Sequence, residues 1–270
     1  MKKIVVTGSF DDLRSRHIRL LEEASKLGEL HLLLWSDAAV RALLEKSPQF
    51  PQEERLYLTQ AIRYVDRVDI VDPPFKADTL PLFETLRPDL WAVDQESDSS
   101  AKRNYCATRN IDYRVFTDAD LAGFPEPPSP PASTRKKVIV TGCYDWFHSG
   151  HVRFFEEVSE LGDLYVAAGN DANVRHLKGE GHPMFSQEER RYVIHSIRYV
   201  THGLITSGMG WMDAEPDIAR LKPDIYAVNE DGDKPEKQAF CREHGLEYVV
   251  LERTPKEGLT KRSSTHLRGF

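Results

Sequence analysis

Short apolar runs alternate with amphipathic stretches along this chain, and each run closes on a turn signal. Lys137-Val138-Ile139-Val140 is stopped by Thr141-Gly142; Leu164-Tyr165-Val166-Ala167-Ala168, Ile225-Tyr226-Ala227-Val228 and Tyr248-Val249-Val250-Leu251 are runs of the same kind. Apolar character at successive positions, not only at alternate ones, predicts strands buried on both faces. His151 to Leu161 carries Val152, Phe155 and Val158 at helical spacing, with Gly162 at the stop. Gln187 to Tyr199 is a second predicted helix, with Tyr192, Ile194, Ile197 and Val200 on or beside its apolar side, and Pro235 to His244 is a third. Such alternation predicts an α/β fold with a parallel, doubly wound sheet, whose ligands bind at the carboxyl ends of strands near helix N-termini.

The pattern occurs twice. Val6-Thr7-Gly8-Ser9-Phe10-Asp11-Asp12-Leu13-Arg14-Ser15-Arg16-His17 is matched by Val140-Thr141-Gly142-Cys143-Tyr144-Asp145-Trp146-Phe147-His148-Ser149-Gly150-His151, 134 residues later. Gln52-Glu53-Glu54-Arg55 matches Gln187-Glu188-Glu189-Arg190 at an offset of 135, so the second copy holds one extra residue between these points. Ile62-Arg63-Tyr64-Val65 recurs as Ile197-Arg198-Tyr199-Val200, Pro88-Asp89 as Pro223-Asp224, and Cys106 as Cys241. The chain is a tandem duplication. Between the copies, Gly123 to Thr134 holds five prolines, which favour an extended spacer over helix or sheet. The expected organisation is a first domain over 1–122, a linker over 123–135 and a second domain over 136–270.

Composition narrows the function classes. The net charge of −7 argues against a general nucleic-acid binder, which would carry a basic face. Cys106, Cys143 and Cys241 form no C-x-x-C pair, so neither a disulfide framework nor structural zinc is expected. The apolar run after Met1-Lys2-Lys3 breaks at once at Thr7-Gly8-Ser9, so no signal peptide is read, and no segment has the apolar length of a membrane span. A cytoplasmic location is the expectation.

The chemistry concentrates in the loop from Gly142 to His151. It passes from a strand end to a helix N-terminus, where free N–H groups and the helix dipole favour anions. Two imidazoles three residues apart there can donate hydrogen bonds to phosphate oxygens as charge shifts in a transition state. Read alone, His148 and His151 are more simply a surface histidine and a helix cap. In context, Gly-x-Tyr-Asp-x-x-His-Ser-Gly-His resembles the signature of the HxGH nucleotidyltransferase superfamily, which includes cytidylyltransferases and adenylyltransferases. His176-Leu177-Lys178-Gly179 is similar to the cytidylyltransferase lysine loop, Arg198-Tyr199-Val200 to its Arg-Tyr-Val segment, and Arg253-Thr254 with Ser263-Ser264-Thr265 to its closing stretch.

The resemblance implies two tandem Rossmann-like nucleotidyltransferase domains and a set of roles. His148, His151 and Lys178 would be catalytic: the histidines stabilise the transition state at the α-phosphorus and Lys178 neutralises phosphate charge. Gly142, Cys143, Tyr144, Asp145 and Gly150 would form the nucleotide loop, with Asp145 mainly fixing it by hydrogen bonds and Cys143 a small filler, as Ser9 is in the first copy. Arg198 would lie near the acceptor's phosphate or the nucleotide, and Asp231 and Arg253 would bind nucleotide. Ser263, Ser264 and Thr265 would hold the departing pyrophosphate. Asp231 stands in Asn229-Glu230-Asp231-Gly232-Asp233, where many relatives have a Gly-Asp-Asp run, and the loop after Arg253 is longer than usual. Because Arg63 and Arg55 persist in the first copy, Arg198 and Arg190 could equally serve the fold. No metal site is expected in the protein itself; Mg²⁺ would arrive with the nucleoside triphosphate.

The reading that follows is a cytidylyltransferase joining CTP to a small phosphorylated or phosphono alcohol or amino-alcohol, such as phosphoethanolamine or glycerol 3-phosphate. The alternatives are an adenylyltransferase using ATP, and a nucleotide-binding regulatory protein without turnover. Arg14 and Arg16 replace the first histidine and the glycine of the motif in the first copy, which is expected to be non-catalytic. Two-domain ethanolamine-phosphate cytidylyltransferases are similar in having one fully active domain. The resemblance implies an internal pseudo-dimer of the two copies, with further homodimerisation open.

Overall fold

A computed structural model describes residues 1–81 and 86–262. The chain divides into two compact units, Met1–Gly123 and Phe124–Phe270. The first unit runs β1 (Lys3–Gly8), α1 (Ser15–Ser25), β2 (Glu29–Trp35), α2 (Asp37–Leu44), α3 (Gln52–Gln60), β3 (Arg67–Val71), β4 (Leu90–Asp94), α4 (Ser100–Ala107) and β5 (Asp112–Phe116). Its strands form one parallel sheet in the order β3-β2-β1-β4-β5.

The second unit repeats this plan with β6 (Lys137–Gly142), α5 (Ser149–Leu161), β7 (Asp163–Ala168), α6 (Asp171–Lys178), α7 (Gln187–His195), β8 (His202–Ile205), α8 (Glu215–Leu221), β9 (Ile225–Asn229), α9 (Pro235–Glu243) and β10 (Glu247–Leu251). Its parallel sheet has the order β10-β9-β6-β7-β8. The central strands are apolar on both faces because helices cover both: Val138, Ile139 and Val140 are fully buried, as are Leu164, Val166 and Ala167. One face holds α5 through Val152, Phe155 and Val158; another buries Tyr226, Ile218 and Phe240 together with Ile139. The chain leaves β6 in one direction along the sheet for β7 and later returns to its other side as β9. That reversal opens a crevice at the carboxyl ends of β6 and β9, where ligands of such sheets bind.

Two sequence expectations are amended. The helix read over Gln187 to Tyr199 ends at His195, because the chain tightens into a turn with Ile197 N–H donating to Ile194 O. Ile197 and Val200 remain buried and so prolonged the apolar periodicity beyond the helix. The start of the proline-rich stretch, read as an extended spacer, is anchored. The ring of Phe124 packs on Tyr192 at 5.8 Å and Glu126 pairs with Arg191, tying residues 124–126 to α7.

Candidate active site

From Gly142 the chain turns through Tyr144, whose φ of 56° lies in the left-handed region that aromatic residues rarely adopt. The turn lays the Tyr144 ring on Gly142, where an added Cβ would stand 2.8 Å from Cζ. Gly142 is therefore required by the ring's approach. Gly8 and Phe10, with a φ of 46°, repeat the arrangement in the first domain, so this part of the loop belongs to the fold.

The two histidines close the N-terminus of α5. His148 is the N-cap, and its Nδ1 accepts the Gly150 N–H at 3.1 Å. The His148 N–H donates to His151 Nδ1 at 3.3 Å. The rings stack with centroids 4.0 Å apart, while Phe147 stacks on His151 at 5.4 Å and Tyr144 meets it edge-on at 5.3 Å. A neutral imidazole that accepts at Nδ1 carries its proton on Nε2. Each histidine is thus fixed as the tautomer with its donor at Nε2. That of His148 is buried with no hydrogen-bond partner among the described residues. An unmatched buried donor costs about 1–3 kcal/mol, so this nitrogen is poised for an acceptor that the described residues do not supply.

Burial, followed by the charges of Arg253 and Arg262, pushes the His148 imidazole down to about 3. Burial, followed by His148, Arg253 and Lys178, holds His151 well below its ordinary range. Both are neutral at physiological pH. In the unfolded chain each titrates near its ordinary value, so the unfolded state takes up protons first as pH falls. The second domain is expected to keep its full stability above pH 6.5 and to lose it progressively as pH drops toward about 3. Urea midpoints at stepped pH check this, and the slope should flatten in a His148→Asn variant.

Beside the histidines lies a cleft of about 290 Å³, walled by Thr141, Tyr144, His148, Gly150 and His151 on one side and by Asn229, Asp231, Lys237 and Arg253 on the other. Arg253 pairs with Asp231 and donates to Arg262 O at 2.9 Å. Lys237 donates to Gly232 O at 3.2 Å, and burial lowers its ammonium below the usual lysine range. Sequence reasoning missed it. Its counterpart Lys102 also donates to a loop carbonyl, that of Ser97, so the repeat offered nothing to distinguish a cleft residue from a clamp.

The other expected site residues fall in different places. Lys178 ends α6 as an exposed side chain whose charge reaches His151. Cys143 lines the cleft as a half-buried thiol, and its carbonyl accepts from Arg190 at 2.6 Å. Asp145 is buried and turned into the protein, accepting the Met184 N–H at 2.8 Å and the Phe185 N–H at 3.1 Å, which leaves it a positioning task rather than nucleotide contact. Gly150 was read as admitting a phosphate to the backbone. An added Cβ there would instead lie 2.9 Å from His148 Cε1, so the glycine makes room for the histidine ring. Arg198 is not brought to the cleft. It lines a separate hollow with Arg135, Glu160 and Thr201 at the amino ends of β7 and β8. The physical reason is the βαβ crossover: α7 runs back against the strands, so residues beyond its C-terminus reach the opposite edge of the sheet. Ser263, Ser264 and Thr265 lie outside the described residues.

The first domain shows the same loop with its chemistry replaced. His17 Nδ1 still accepts the Arg14 N–H, at 3.1 Å, so the second histidine persists because it holds the helix start. Arg14 turns to Asp12 at 2.7 Å. Arg16, in the glycine's place, binds Asp118 at 2.7 Å and lies 3.7 Å from Glu96 and 3.9 Å from Asp94. By the register of the repeat these three acids occupy the positions of Arg253, Asp231 and Asn229. A partly exposed ion cluster on Arg16 stands where the second domain carries Gly150 and Arg253. Trp35 replaces Gly169 and donates to Thr7 Oγ1 at 2.8 Å, filling the adjoining space. Calorimetric titration of the whole chain with a non-hydrolysable nucleoside triphosphate is therefore expected to give one site per chain; two sites would contradict a first domain that does not bind nucleotide.

A profile of the cytidylyltransferase-like family matches residues 5–136 and again 139–268. Among curated proteins the chain is similar to FAD synthase of Ferroglobus placidus, 33% identical over 125 residues that cover 45% of this chain and 78% of that one. FAD synthase of Archaeoglobus profundus is 34% identical over 134 residues, 48% of this chain and 83% of that one. Bifunctional protein HldE of Campylobacter concisus is 37% identical over 99 residues, 36% of this chain, and the match spans only 20% of HldE.

Proposed function

The chain belongs to the cytidylyltransferase-like family, and from that premise we propose that its second domain is a nucleotidyltransferase. It joins the α-phosphate of a nucleoside triphosphate to a phosphate oxygen of an acceptor and releases pyrophosphate. The observation that carries this reading is the pair of neutral histidines whose Nδ1 atoms are held by backbone amides, one with a buried, unmatched Nε2–H at a helix N-terminus.

In this reading an acceptor oxygen attacks the α-phosphorus in line, and the bond to the bridging oxygen of the β-phosphate breaks with its electron pair leaving on pyrophosphate. The attacking phosphate is already anionic, so no general base is required. The His148 and His151 Nε2–H groups donate to α-phosphate oxygens as charge builds there, in a low-dielectric setting where such bonds are strong. Arg253 and Lys178 add positive charge on either side of the pair. Among the described residues no group of three His, Cys, Asp or Glu is gathered for a metal ion, and Asp145 is engaged by backbone amides. Mg²⁺ arriving as the nucleotide's own complex would neutralise phosphate charge beside Arg253 and Lys178.

We propose ATP as the nucleotide. Two of the relatives are named FAD synthase, and FAD contains an adenylyl group. The Arg198-Tyr199-Val200 segment pointed to CTP, but it sits at the amino ends of the strands and recurs as Arg63-Tyr64-Val65 in the closed first domain. It therefore bears on the fold and carries no weight for the base. CTP with a small phosphorylated alcohol is the second reading, supported by Lys178-Gly179. Pyrophosphate release by the whole chain, measured with each of ATP and CTP against a panel of phosphorylated acceptors, separates the two. Release with ATP alone supports the first reading and release with CTP alone the second. Nucleotide binding without release under any condition would refute both.

A further inference from the structure

Lys237 stands in the first turn of α9 and lines the same cleft as His148 and His151. Its ammonium donates to Gly232 O at 3.2 Å and lies 5.9 Å from the ring centre of Tyr226, whose hydroxyl is bonded to Thr141 Oγ1 at 2.7 Å. Among the described residues it meets no carboxylate within ion-pair distance, whereas the cleft's other cation, Arg253, is paired with Asp231. An ammonium carries three N–H donors. One holds the turn at Gly232, and the others are left to the cleft. Burial lowers this ammonium below the usual lysine range, so an anion beside it would restore what burial takes away.

The cleft has two ends. Gly150, Phe154, Asn229 and Arg253 also wall a small cavity beneath residues 252–262, while Thr141, Cys143 and Lys237 do not. Arg253 is tied to that segment through Arg262 O. The loop carrying the histidines starts at Thr141, beside the Lys237 end, and passes Gly150 at the other. In-line displacement requires the attacking and leaving oxygens on opposite sides of the phosphorus. With the α-phosphate on the histidines and pyrophosphate leaving toward Arg253, the attacking oxygen enters from the Thr141 end, where Lys237 is the cation.

The first domain shows what differs around this lysine. Lys102 holds the same turn through Ser97 O and lies 5.6 Å from the ring centre of Trp91, so the clamp is common to both domains. Around Lys102 the space is bulkier and more acidic: Trp35 bonds Thr7 Oγ1, Trp91 takes the place of Tyr226, and Asp94 that of Asn229. A clamp requires neither the smaller side chains nor the lost negative charge of the second domain. An anion entering the cleft needs both.

Resting on the nucleotidyltransfer reading, we propose that Lys237 binds the attacking phosphate of the acceptor, opposite the pyrophosphate end marked by Arg253. It holds one phosphate oxygen by a charge-assisted hydrogen bond and so aims the group at the α-phosphorus. A nucleobase is the competing occupant.

The test uses the whole chain with its lysines ¹³C-labelled at Cε, the Lys237 signal being assigned by its loss in Lys237→Met. With α,β-methylene ATP bound, inorganic phosphate should shift that signal; no shift on adding phosphate would overturn the proposal. Inorganic phosphate needs no turnover, so its outcome is separate from that of pyrophosphate release, whose absence would refute nucleotidyltransfer. Turnover is the second readout. With the phosphomonoester that supports release, Lys237→Met should raise the acceptor KM roughly 10–100-fold, the loss of one hydrogen bond between charged groups, and leave the nucleotide KM unchanged. A slipped clamp or a lost base contact would raise the nucleotide KM as much or more, because Asn229 and the Arg253–Asp231 pair belong to the same turn, and that result would overturn the proposal. Lys102→Met, which removes the matching clamp from the first domain, should change neither KM.

Discussion

Replacing His148 by alanine should lower turnover by roughly 10²–10³-fold, the usual loss when one preorganised donor to a developing oxyanion is removed. The fold should barely notice. The substitution deletes one cap bond, to the Gly150 N–H, for about 1 kcal/mol, and it also removes a buried donor that is unmatched among the described residues. Asparagine separates the two roles, since it is a good N-cap but is too short to present the Nε2–H. His148→Asn is therefore expected to match the wild type in urea midpoint and the alanine variant in turnover. Steady-state pyrophosphate release and equilibrium unfolding on the same samples check both halves, and full turnover in either variant would contradict the assignment.

Arg190→Ala is expected to show the opposite profile, a loss of stability that takes activity with it. This guanidinium is fully buried and ties together three segments of the site. It donates to Phe185 O at 3.0 Å, Cys143 O at 2.6 Å and Gly169 O at 2.8 Å, and pairs with Asp171 at 2.6 Å. Without it, the carbonyls at the start of the histidine loop and at the end of β7 are left buried and unmatched. The loss is about 3–5 kcal/mol for the second domain, as for other buried charge pairs broken on one side. Lysine should not rescue it, because an ammonium cannot reproduce the planar fork. Arg55 holds Phe50, Ser9, Trp35 and Asp37 in the same way, so Arg55→Ala should cost the first domain a similar amount. Thermal unfolding followed by circular dichroism tests this; a shift equivalent to less than 1 kcal/mol in the Arg190 variant would contradict it.

These two residues also show what was legible in the chain. Comparing the copies separated His148, absent from the first, from Arg190, present in both, and the structure gives the former an unmatched donor and the latter a bracing network. The strands β6, β7 and β9 were readable because both their faces are buried, whereas β10, read in the same way, is an edge strand that leaves Glu247 and Val250 exposed. The four-residue β8 and the short α6 and α8 were not, since each buries too few side chains to impose a period. The comparison of copies failed where one residue serves both domains alike, as at Lys102 and Lys237. It also could not foresee the ion cluster at Arg16, whose acids Asp94, Glu96 and Asp118 come from distant segments and look like ordinary surface charges until the sheet brings them together. Arg198 misled for a related reason. A family-like segment carries no information about which end of the sheet it occupies; the direction of α7 settles that.

The central claim is that the second domain transfers the α-phosphate group of a nucleotide and that the first does not. Its most direct test follows α-labelled and γ-labelled ATP through incubation of the whole chain with phosphorylated acceptors, in wild-type protein and in His148→Ala. Label from the α-position should pass to the acceptor product, γ-label should leave in pyrophosphate, and both transfers should fall together in the variant. Release of γ-label as inorganic phosphate with the α-label retained in ADP, or transfer undiminished in His148→Ala, would contradict it.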